Sequence, residues 1–376
     1  MSTATVPTNS VLARKQWADT ALTQHFNKFP LLNIMSDGNG GMTLKGAIIK
    51  ETLEAGEGDT KDYAFRAPTS TSTVKTGDQR LQGTGGSITY GKDSITLSEF
   101  GDELQVKNRT MNKTRTKIDV DNDTSEALGE QSGRFAMVKV LQALTDVTAG
   151  RTQKRYLYGS AEANYNATHA TALANVDATD DKLTLDLLGD AITKFRTQST
   201  GIGFMQPAEV ILKDDSVVEK FIGLFHPAAI RDLKKDPNFK TAVLQKDNAL
   251  FDVISGSNFV GEYEGCLIYG LDPVDTENDV LLLAGVGAGS INVAHNLILG
   301  KGAMVVAYGK EAEPDTSIKY SMSNNGNMII TKVGDDHGRD TLWAWRNVMG
   351  FRKLVDGNTN EDYAAAHLFT SAKGGL

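Results

Sequence analysis

Hydrophobic residues recur at helical spacing in two long stretches of the chain, and these predict its two main helices. In the first stretch, residues 12–29, apolar side chains return every three or four positions until Pro30 ends the run. This amphipathic helix has no evident partner nearby, because a glycine-rich linker follows it. In the second stretch, from Asp123 to Ala149, the same period continues until Gly150 closes it. It predicts a helix of about 26 residues, ~39 Å long, which we call the spine helix.

Alternation of apolar and polar residues predicts strands on both sides of the spine helix. Before it, the strand patterns are DYAFRA, SITYG and SITLSEF; after it, they are AEVILK, CLIYGL, VLLLAG, INVAHNLILG, AMVVAYG, TSIKYSM, NMIITKVG and WRNVMGFRKLV. Two further segments, LTLDLLGDAITKFR and SVVEKFIGLF, have the spacing of helices. Helical and strand patterns alternate between about residues 185 and 300, which predicts a compact α/β unit there.

A long polar connection separates two of the predicted strands. Within residues 67–87, Val74 and Leu81 are the only larger aliphatic residues, so the segment cannot anchor itself in a core. Structureless connections of this length are uncommon inside compact domains. The segment is predicted to be either an extended hairpin arm or a disordered loop, and its composition does not separate the two.

Composition and charge exclude several classes of protein. The 376 residues are 40% hydrophobic and 23% charged, which predicts a globular chain with two or three sub-domains. A net charge of −8 argues against a dedicated nucleic-acid binder. The single cysteine, Cys266, excludes an intrachain disulfide and a cysteine zinc cluster. There is no signal-peptide pattern and no run of eighteen apolar residues, so a soluble, cytoplasmic protein without a membrane partner is expected.

A basic run, KNRTMNKTRTK at residues 107–117, contains no acid. Such a run usually forms a solvated face. The alternative is a contact with phosphate or with an acidic surface of a neighbouring molecule. The net negative charge of the chain is consistent with the second of these, because other copies would present acidic surfaces.

The stretch VLLLAGVGAGS has the pattern of a phosphate-binding turn, but it lacks the residues that a nucleotide needs. A dinucleotide fingerprint requires a third glycine where Ser290 stands, and an acid about 20 residues later. No lysine follows the glycines as in a Walker A loop. We therefore interpret Gly285, Gly287 and Gly289 as residues of tight turns, and no cofactor is predicted.

Four acids near the start of the spine helix have two competing interpretations. Asp119, Asp121, Asp123 and Glu130 stand at positions 1, 3, 5 and 12 of a calcium loop. Thr124, however, stands where that loop needs glycine, so a helix cap at Asp123 is favoured and a cation site remains the alternative. The six histidines are scattered, and there is no nucleophile elbow, so no catalytic site is predicted.

The order of these pieces resembles the major capsid proteins of tailed bacteriophages with the Hong Kong ninety-seven type fold. More closely, the chain resembles the podovirus family typified by coliphage N-four. The resemblance rests on LARKQWADTALTQHF, EAGEGDTKDYAFRAP followed by KTGDQRLQG, the spine helix after KTRTKIDV, HPAAIRDLKKDPNFK and LILGKGAMVVAYG. The chain departs from the family pattern at LQGTGGS and at TNEDYAAAHLFTSAKGGL, which replaces a more strand-like ending.

The resemblance implies an α+β capsid fold in five parts. These are an N-terminal arm with an amphipathic helix (1–49), an extended hairpin arm (50–106), a peripheral domain with the spine helix 123–149 and a β-sheet (107–184), a compact α/β axial domain (185–300), and returning strands of the peripheral domain with the C-terminus (301–376).

The implied function is structural. The chain would be a major capsid protein that self-assembles as hexamers and pentamers into an icosahedral shell enclosing phage double-stranded DNA, with no enzymatic activity and no cofactor. It would be assembled in the host bacterial cytoplasm and reside in the virion capsid. Its partners would be further copies of itself, portal, scaffolding and decoration proteins, and packaged DNA without sequence specificity. The alternatives are an encapsulin-like shell protein, a phage tail or baseplate protein, and a nucleotide-binding enzyme.

The first amphipathic helix, the polar connection and the basic run have no evident partner within the chain. They fit such a shell, because adjacent subunits would cover them. The predicted inter-subunit contacts are Trp17 and Phe26 of the first helix and the charged residues Asp59, Asp78, Arg80, Glu103, Lys107, Arg109, Lys113, Arg115 and Lys117.

Overall fold

The fold was obtained as a computed structural model of the chain. It describes residues 20–25, 28–29, 31, 34–37, 46–53, 58–66, 74–77, 88, 90–108, 111, 120–200, 203–212, 216–239, 258–274, 279–309, 321–324, 328–335, 337 and 339–372.

In this described part, seven strands form the first sheet. In spatial order they are β1 (Met35–Asp37), β2 (Ile48–Leu53), β13 (Met304–Gly309), β16 (Asp340–Lys353), β15 (Met328–Asp335) and β14 (Ser321–Asn324), with β5 (Ser98–Val106) also paired to β16. The 14-residue β16 pairs antiparallel with β13, β15 and β5. Strand β16 therefore organises the first sheet.

The second sheet has eight strands among the described residues. In order they are β6 (Tyr156–Tyr158), β17 (Ala365–Ala372), β12 (Asn292–Leu299), β8 (Val217–Phe225), β10 (Cys266–Gly270) and β9 (Asn258–Tyr263), with β7 (Ala208–Ile211) paired to β8 and β11 (Leu282–Leu283) paired to β12. Ile222 and Leu224 of β8 share a core with the spine helix. Phe221 and Phe225 belong to the core of the opposite face. Both faces of this sheet are covered, which explains its uninterrupted apolar runs.

The spine helix spans Val120–Thr145 and connects the two sheets. Val140 and Leu144 lie in one core with Met304 of the first sheet and Leu297 of the second. The other face of the second sheet carries the helices Leu185–Thr197 and Pro227–Lys235, and a shorter helix, His169–Ala174, lies near β6. Thr184 caps the helix Leu185–Thr197 by accepting a hydrogen bond from the Leu187 amide. No helix in the described residues is long and apolar enough to span a membrane.

The N-terminal segment, residues 20–25, is helical and packs on the spine helix of the same chain. Its Ala21 lies in a core with Leu128, and His25 Nδ1 is 2.8 Å from Ser132 Oγ. A Cβ on Gly133 would lie 2.5 Å from the His25 carbonyl oxygen, and one on Gly129 would collide with the Ala21 backbone. The partner that the sequence did not reveal is therefore the spine helix itself, at two glycines one turn apart.

Strands β3 (Thr60–Arg66) and β4 (Tyr90–Thr96) form a separate two-stranded antiparallel sheet. At its base, Tyr63 and Ile95 are buried against Ile49, Val305 and Leu354 of the body. The residues before and after the polar connection are thus paired as a hairpin, as the arm interpretation requires.

Several predicted helices and strands differ from those in the structure. The spine helix was predicted at 123–149 and lies three to four residues earlier. SVVEKFIGLF forms strand β8 instead of a helix, and VLLLAG contributes only the two residues of β11. The ending TNEDYAAAHLFTSAKGGL contains β17, whose eight residues are all buried between β6 and β12. The predictions of a helix at LTLDLLGDAITKFR and of strands at CLIYGL and INVAHNLILG are confirmed.

Candidate functional site

The base of the hairpin is fixed to the body by a buried carboxylate. Asp93 Oδ1 accepts from Arg352 Nη2 at 3.1 Å and from Arg352 Nε at 3.2 Å. Asp93 Oδ2 also accepts from the Val355 amide at 2.9 Å. A guanidinium bonded through two nitrogens and a backbone amide together fix the direction of β4.

Further contacts hold both strands of the hairpin. The Gly357 amide donates to the Lys92 carbonyl at 3.0 Å, and Asn358 Nδ2 donates to the Tyr90 carbonyl at 2.9 Å. On the other strand, Lys61 Nζ lies 2.8 Å from Glu51 Oε2 of β2. These contacts fix both strands of the hairpin on the body.

The connection between β3 and β4 and the first residue of β4 expose apolar side chains. Val74 is 68% exposed, Ile88 56% and Tyr90 53%. The other large hydrophobic residues that are exposed among the described ones are Met111, Phe204, Ile211 and Val217. Exposed apolar side chains in and beside this connection are typical of a contact surface.

The charged residues predicted to contact neighbours are only partly described. Asp59, Glu103 and Lys107 lie at the surface, next to β3, on β5 and just after β5. Trp17, Phe26, Asp78, Arg80, Arg109, Lys113, Arg115 and Lys117 lie outside the described residues. Contacts of these side chains with a neighbouring subunit therefore remain a prediction.

The acids near the start of the spine helix do not form a calcium loop. Residues 120–130 are α-helical, and Asp119 lies outside the described residues. Asp121 is buried and lies 3.1 Å from Lys332 Nζ, whereas Asp123 is exposed. Glu130 pairs with Arg134. The described acids thus serve separate contacts, and no three His, Cys, Asp or Glu side chains in the described part are grouped to hold a metal ion.

The predicted cap is also wrong, because the helix begins at Val120 and Asp123 lies within its first turn. Both Asp121 and Asp123 remain near the positive end of the helix dipole, where carboxylates are favourable. The turn interpretation of the glycines is confirmed for Gly285 and Gly289, whose φ values of +67° and +68° are left-handed.

A buried polar cluster, which the sequence analysis missed, lies between the two sheets. Lys353 Nζ is 3.0 Å from Asp362 Oδ1 and 3.3 Å from His367 Nε2. His367 Nδ1 is 2.7 Å from His295 Nε2, and the His367 ring stacks on Tyr156 at 4.3 Å. The histidines are scattered in sequence, and only the pairing of β12 with β17 brings two of them together.

Burial governs the ionisation of this cluster. Burial, reinforced by the Lys353 charge, lowers the pKa of His367 to about 4, and burial with the neighbouring His367 lowers the pKa of His295 well below its usual value. Burial alone would raise the pKa of Asp362, but the His367 hydrogen bond and the Lys353 charge hold it below its usual value. Burial raises the pKa of the Cys266 thiol to about 12, so this cysteine is not a reactive thiolate at neutral pH.

Comparison with known proteins shows to which protein family the chain belongs. Residues 5–334 match the sequence profile of a family described as phage capsid protein. The chain belongs to the phage capsid protein family. No curated protein matches it significantly.

Solved phage capsids share the fold of this capsid protein at low sequence identity. They include the capsid asymmetric unit of cyanophage Pam1 (TM-score 0.67, 18% identity, 92% of this chain and 93% of that chain). The capsid of Ralstonia phage GP4 has a TM-score of 0.66 and 16% identity over 92% of this chain and 91% of that one. The acidic stable capsid of Helicobacter pylori bacteriophage KHP30 has a TM-score of 0.62 and 15% identity over the same shares.

The α+β fold is thus the Hong Kong ninety-seven type capsid fold. The protein is a structural major capsid protein of a tailed phage, not an enzyme, and its subunits associate into the icosahedral shell of the virion. The family match selects this function over the tail, encapsulin and nucleotide-binding alternatives. The closer resemblance to the N-four-like podoviruses remains a prediction.

Proposed function

We propose that this capsid protein assembles as hexamers and pentamers around phage double-stranded DNA, and that its hairpin arm lies over a neighbouring subunit. The observation that carries the proposal is the contrast between the anchored backbone of the hairpin and its exposed apolar side chains. Its base is anchored by Tyr63, Ile95 and the Asp93–Arg352 contact, whereas Val74, Ile88 and Tyr90 expose apolar side chains.

This contrast favours binding to a fixed partner. An element whose direction is already set loses less conformational freedom when it binds, so more of its contact energy appears as affinity. Closed symmetry then repeats the same modest contact around every ring, which stabilises the shell without any single strong interface.

The roles of the other segments follow the five-part division. Residues 185–300 would meet around the five-fold and six-fold axes, with β6 and β17 completing their sheet, and the other parts of residues 107–184 and 301–376 would form the periphery. The basic residues Lys107, Arg109, Lys113, Arg115 and Lys117, together with Arg80, would pair with acids of adjacent subunits. Asp59, Asp78 and Glu103 are the proposed acceptors, and Trp17 and Phe26 would add apolar contacts.

Assembly would take place in the host bacterial cytoplasm with portal, scaffolding and decoration proteins. The net charge of −8 supports non-specific, weak contact with packaged DNA, because an acidic inner wall does not bind phosphate strongly.

A triple substitution in the arm tests the proposal. Val74→Thr, Ile88→Thr and Tyr90→Ser together remove apolar contact area at exposed positions, so the subunit should fold with an unchanged melting temperature. Its assembly should fail or require a much higher protein concentration, because the arm no longer buries apolar surface on its neighbour. Electron microscopy and sedimentation velocity would measure the assembled fraction.

The matched control keeps the same positions apolar with Val74→Ile, Ile88→Val and Tyr90→Phe, and it should assemble like the natural protein. Normal shells from the polar triple variant would show that these exposed side chains carry no contact, and the proposal for the arm would then be wrong.

A further inference from the structure

The buried polar cluster lies where the chain passes from one sheet to the other. Lys353 is the last residue of β16 in the first sheet, and His367 belongs to β17 in the second. The connection between the two strands carries Asp362, which is fully buried. The cluster therefore joins the two sheets through charged and imidazole groups.

One ammonium group holds several elements together at this junction. Lys353 Nζ lies 3.0 Å from Asp362 Oδ1 and 3.3 Å from both Tyr156 Oη and His367 Nε2. It also donates to the main-chain oxygen of Asp146, which follows the spine helix. The end of β16 is thus bonded to β6, to β17 and to the end of the spine helix.

The two histidines fit this arrangement only when they are neutral. A single proton fills the 2.7 Å contact between His367 Nδ1 and His295 Nε2. The other nitrogen, His367 Nε2, lies 3.3 Å from both Asp362 Oδ2 and Lys353 Nζ, so it can donate to the carboxylate while Nδ1 accepts the proton of His295 Nε2. A second proton on His367 would set two N–H groups against each other in the 2.7 Å contact with His295, and it would add a positive charge next to Lys353 in a fully buried site where Asp362 is already paired with Lys353.

We propose that this cluster is a proton-sensitive latch. Neutral histidines hold β17 on Lys353 and on the end of the spine helix, and acidification opens this junction before the strands of the first sheet separate. The inference rests on the folded subunit alone and is independent of how subunits assemble.

The surrounding charges support the latch, because the carboxylates that face the cluster already offset its Lys and Arg side chains when both histidines are neutral. The titratable and charged groups that face the cluster are Lys353 and Arg352 of β16, Asp362 and Glu361 of the connection, Arg155 and Tyr156 at β6, Asp146 after the spine helix, and His169 of the helix His169–Ala174. Asp362, Asp146 and Glu361 offset Lys353 and Arg155, and Asp93 pairs with Arg352. A proton added to His367 must therefore share Asp362 with Lys353, and the cost of burying the new charge outweighs the attraction of that carboxylate.

The sign of the pH dependence follows from the histidines. Burial, then Lys353, lowers the pKa of His367 from 6.5 to about 4 in the closed junction, and opening returns it to its usual value. The contribution to stability is complete above about pH 6.5 and is lost progressively as the pH falls to about 4. For His367 alone this difference corresponds to an open fraction that rises about 300-fold.

Hydrogen exchange measured by mass spectrometry on the full-length subunit tests the latch at about pH 7 and about pH 4.5. After correction for the intrinsic pH dependence of exchange, the amides of residues 365–372 should lose protection by ~100-fold. Residues 340–346, paired in the first sheet, should keep theirs.

Two variants locate the effect. His367→Gln and His295→Gln keep hydrogen-bonding groups that do not titrate in this range, so β17 should stay protected at the lower pH. The control is His25→Gln: His25 is also buried, with its pKa lowered by burial to about 4, but it contacts Ser132 on the spine helix. This variant should leave the response of β17 unchanged.

The wild-type measurement decides the matter even where a variant fails to fold. Unchanged protection of β17 at about pH 4.5, or simultaneous loss of protection in both sheets, would overturn the latch. So would a full acid response in both His367→Gln and His295→Gln.

Discussion

At the scale of single residues, the ion pair between Lys332 and Asp121 ties the first turn of the spine helix to β15. Both side chains are 3% exposed, and Lys332 Nζ also lies 4.5 Å from the centre of the Trp343 ring. Lys332→Met would leave the Asp121 carboxylate buried without its cation. We expect the free energy of unfolding to fall by about 3–5 kcal/mol, measured by urea denaturation.

Two controls separate the buried charge from general disruption. The double variant Lys332→Met with Asp121→Leu removes both charges and should recover most of the loss, because apolar side chains can replace a buried ion pair. Glu130→Gln removes the more exposed pair with Arg134 and should change stability by about 0.5 kcal/mol or less. A Lys332→Met variant as stable as Glu130→Gln would contradict the prediction.

The same residues show where sequence reasoning ends at this scale. The acids from Asp119 to Glu130 have the spacing of a cation loop or a cap, but the partner of Asp121 lies more than two hundred residues away in β15. His295 and His367 likewise meet only because Leu297 of β12 pairs with His367 of β17. Local spacing cannot reveal contacts that depend on strand register.

At the scale of elements, the contact between the N-terminal segment and the spine helix depends on Gly129 and Gly133. In an isolated helix, glycine to alanine is stabilising by ~1 kcal/mol. Here a Cβ on Gly129 would collide with the Ala21 backbone, which cannot move without detaching the segment. Gly129→Ala should therefore destabilise the subunit by about 1–3 kcal/mol and expose residues 20–25 to limited proteolysis.

Gly129→Ala is thus expected to destabilise the subunit, whereas a change to alanine usually stabilises a helix. The control is Gln142→Ala, at an exposed position of the same helix. It should leave the subunit unchanged or slightly more stable and keep residues 20–25 protected. If Gly129→Ala raised the melting temperature, the close packing of the two segments would be refuted.

Helices and strands were predictable from the sequence where the hydrophobic period continues over many residues and only one face of the element is apolar. The spine helix has the predicted length, although its ends are shifted, because Asp123 was interpreted as a cap when Asp121 already lies in the helix. Strand β8 was predicted as a helix because FIGLF is apolar at every position, and burial on both faces removes the alternation that marks a strand. Strand β17 was missed because small alanines dilute its apolar pattern.

At the scale of the whole molecule, the order of elements was more informative than any single motif. Each motif of the resemblance is modest, but their succession along the chain predicted the capsid fold that the structure and the family match confirm. Sequence order does not, however, say which surfaces stay open once the chain has folded. The N-terminal helical segment finds its partner within the subunit, whereas the arm leaves Val74, Ile88 and Tyr90 exposed.

If the arm binds a neighbour, its anchorage should matter more for the shell than for the subunit. Arg352→Gln loosens the contact with Asp93, but the guanidinium is half exposed, so the free energy of unfolding should fall by about 1 kcal/mol or less. A freer arm loses more conformational entropy on binding, so a higher protein concentration should be needed for assembly, as light scattering would measure. Arg346→Gln on the same strand weakens a comparably exposed but longer pair with Glu99 on β5, outside the β3–β4 hairpin. It should assemble at the natural concentration, and equal effects of the two variants would show that surface charge, not the direction of the arm, controls assembly.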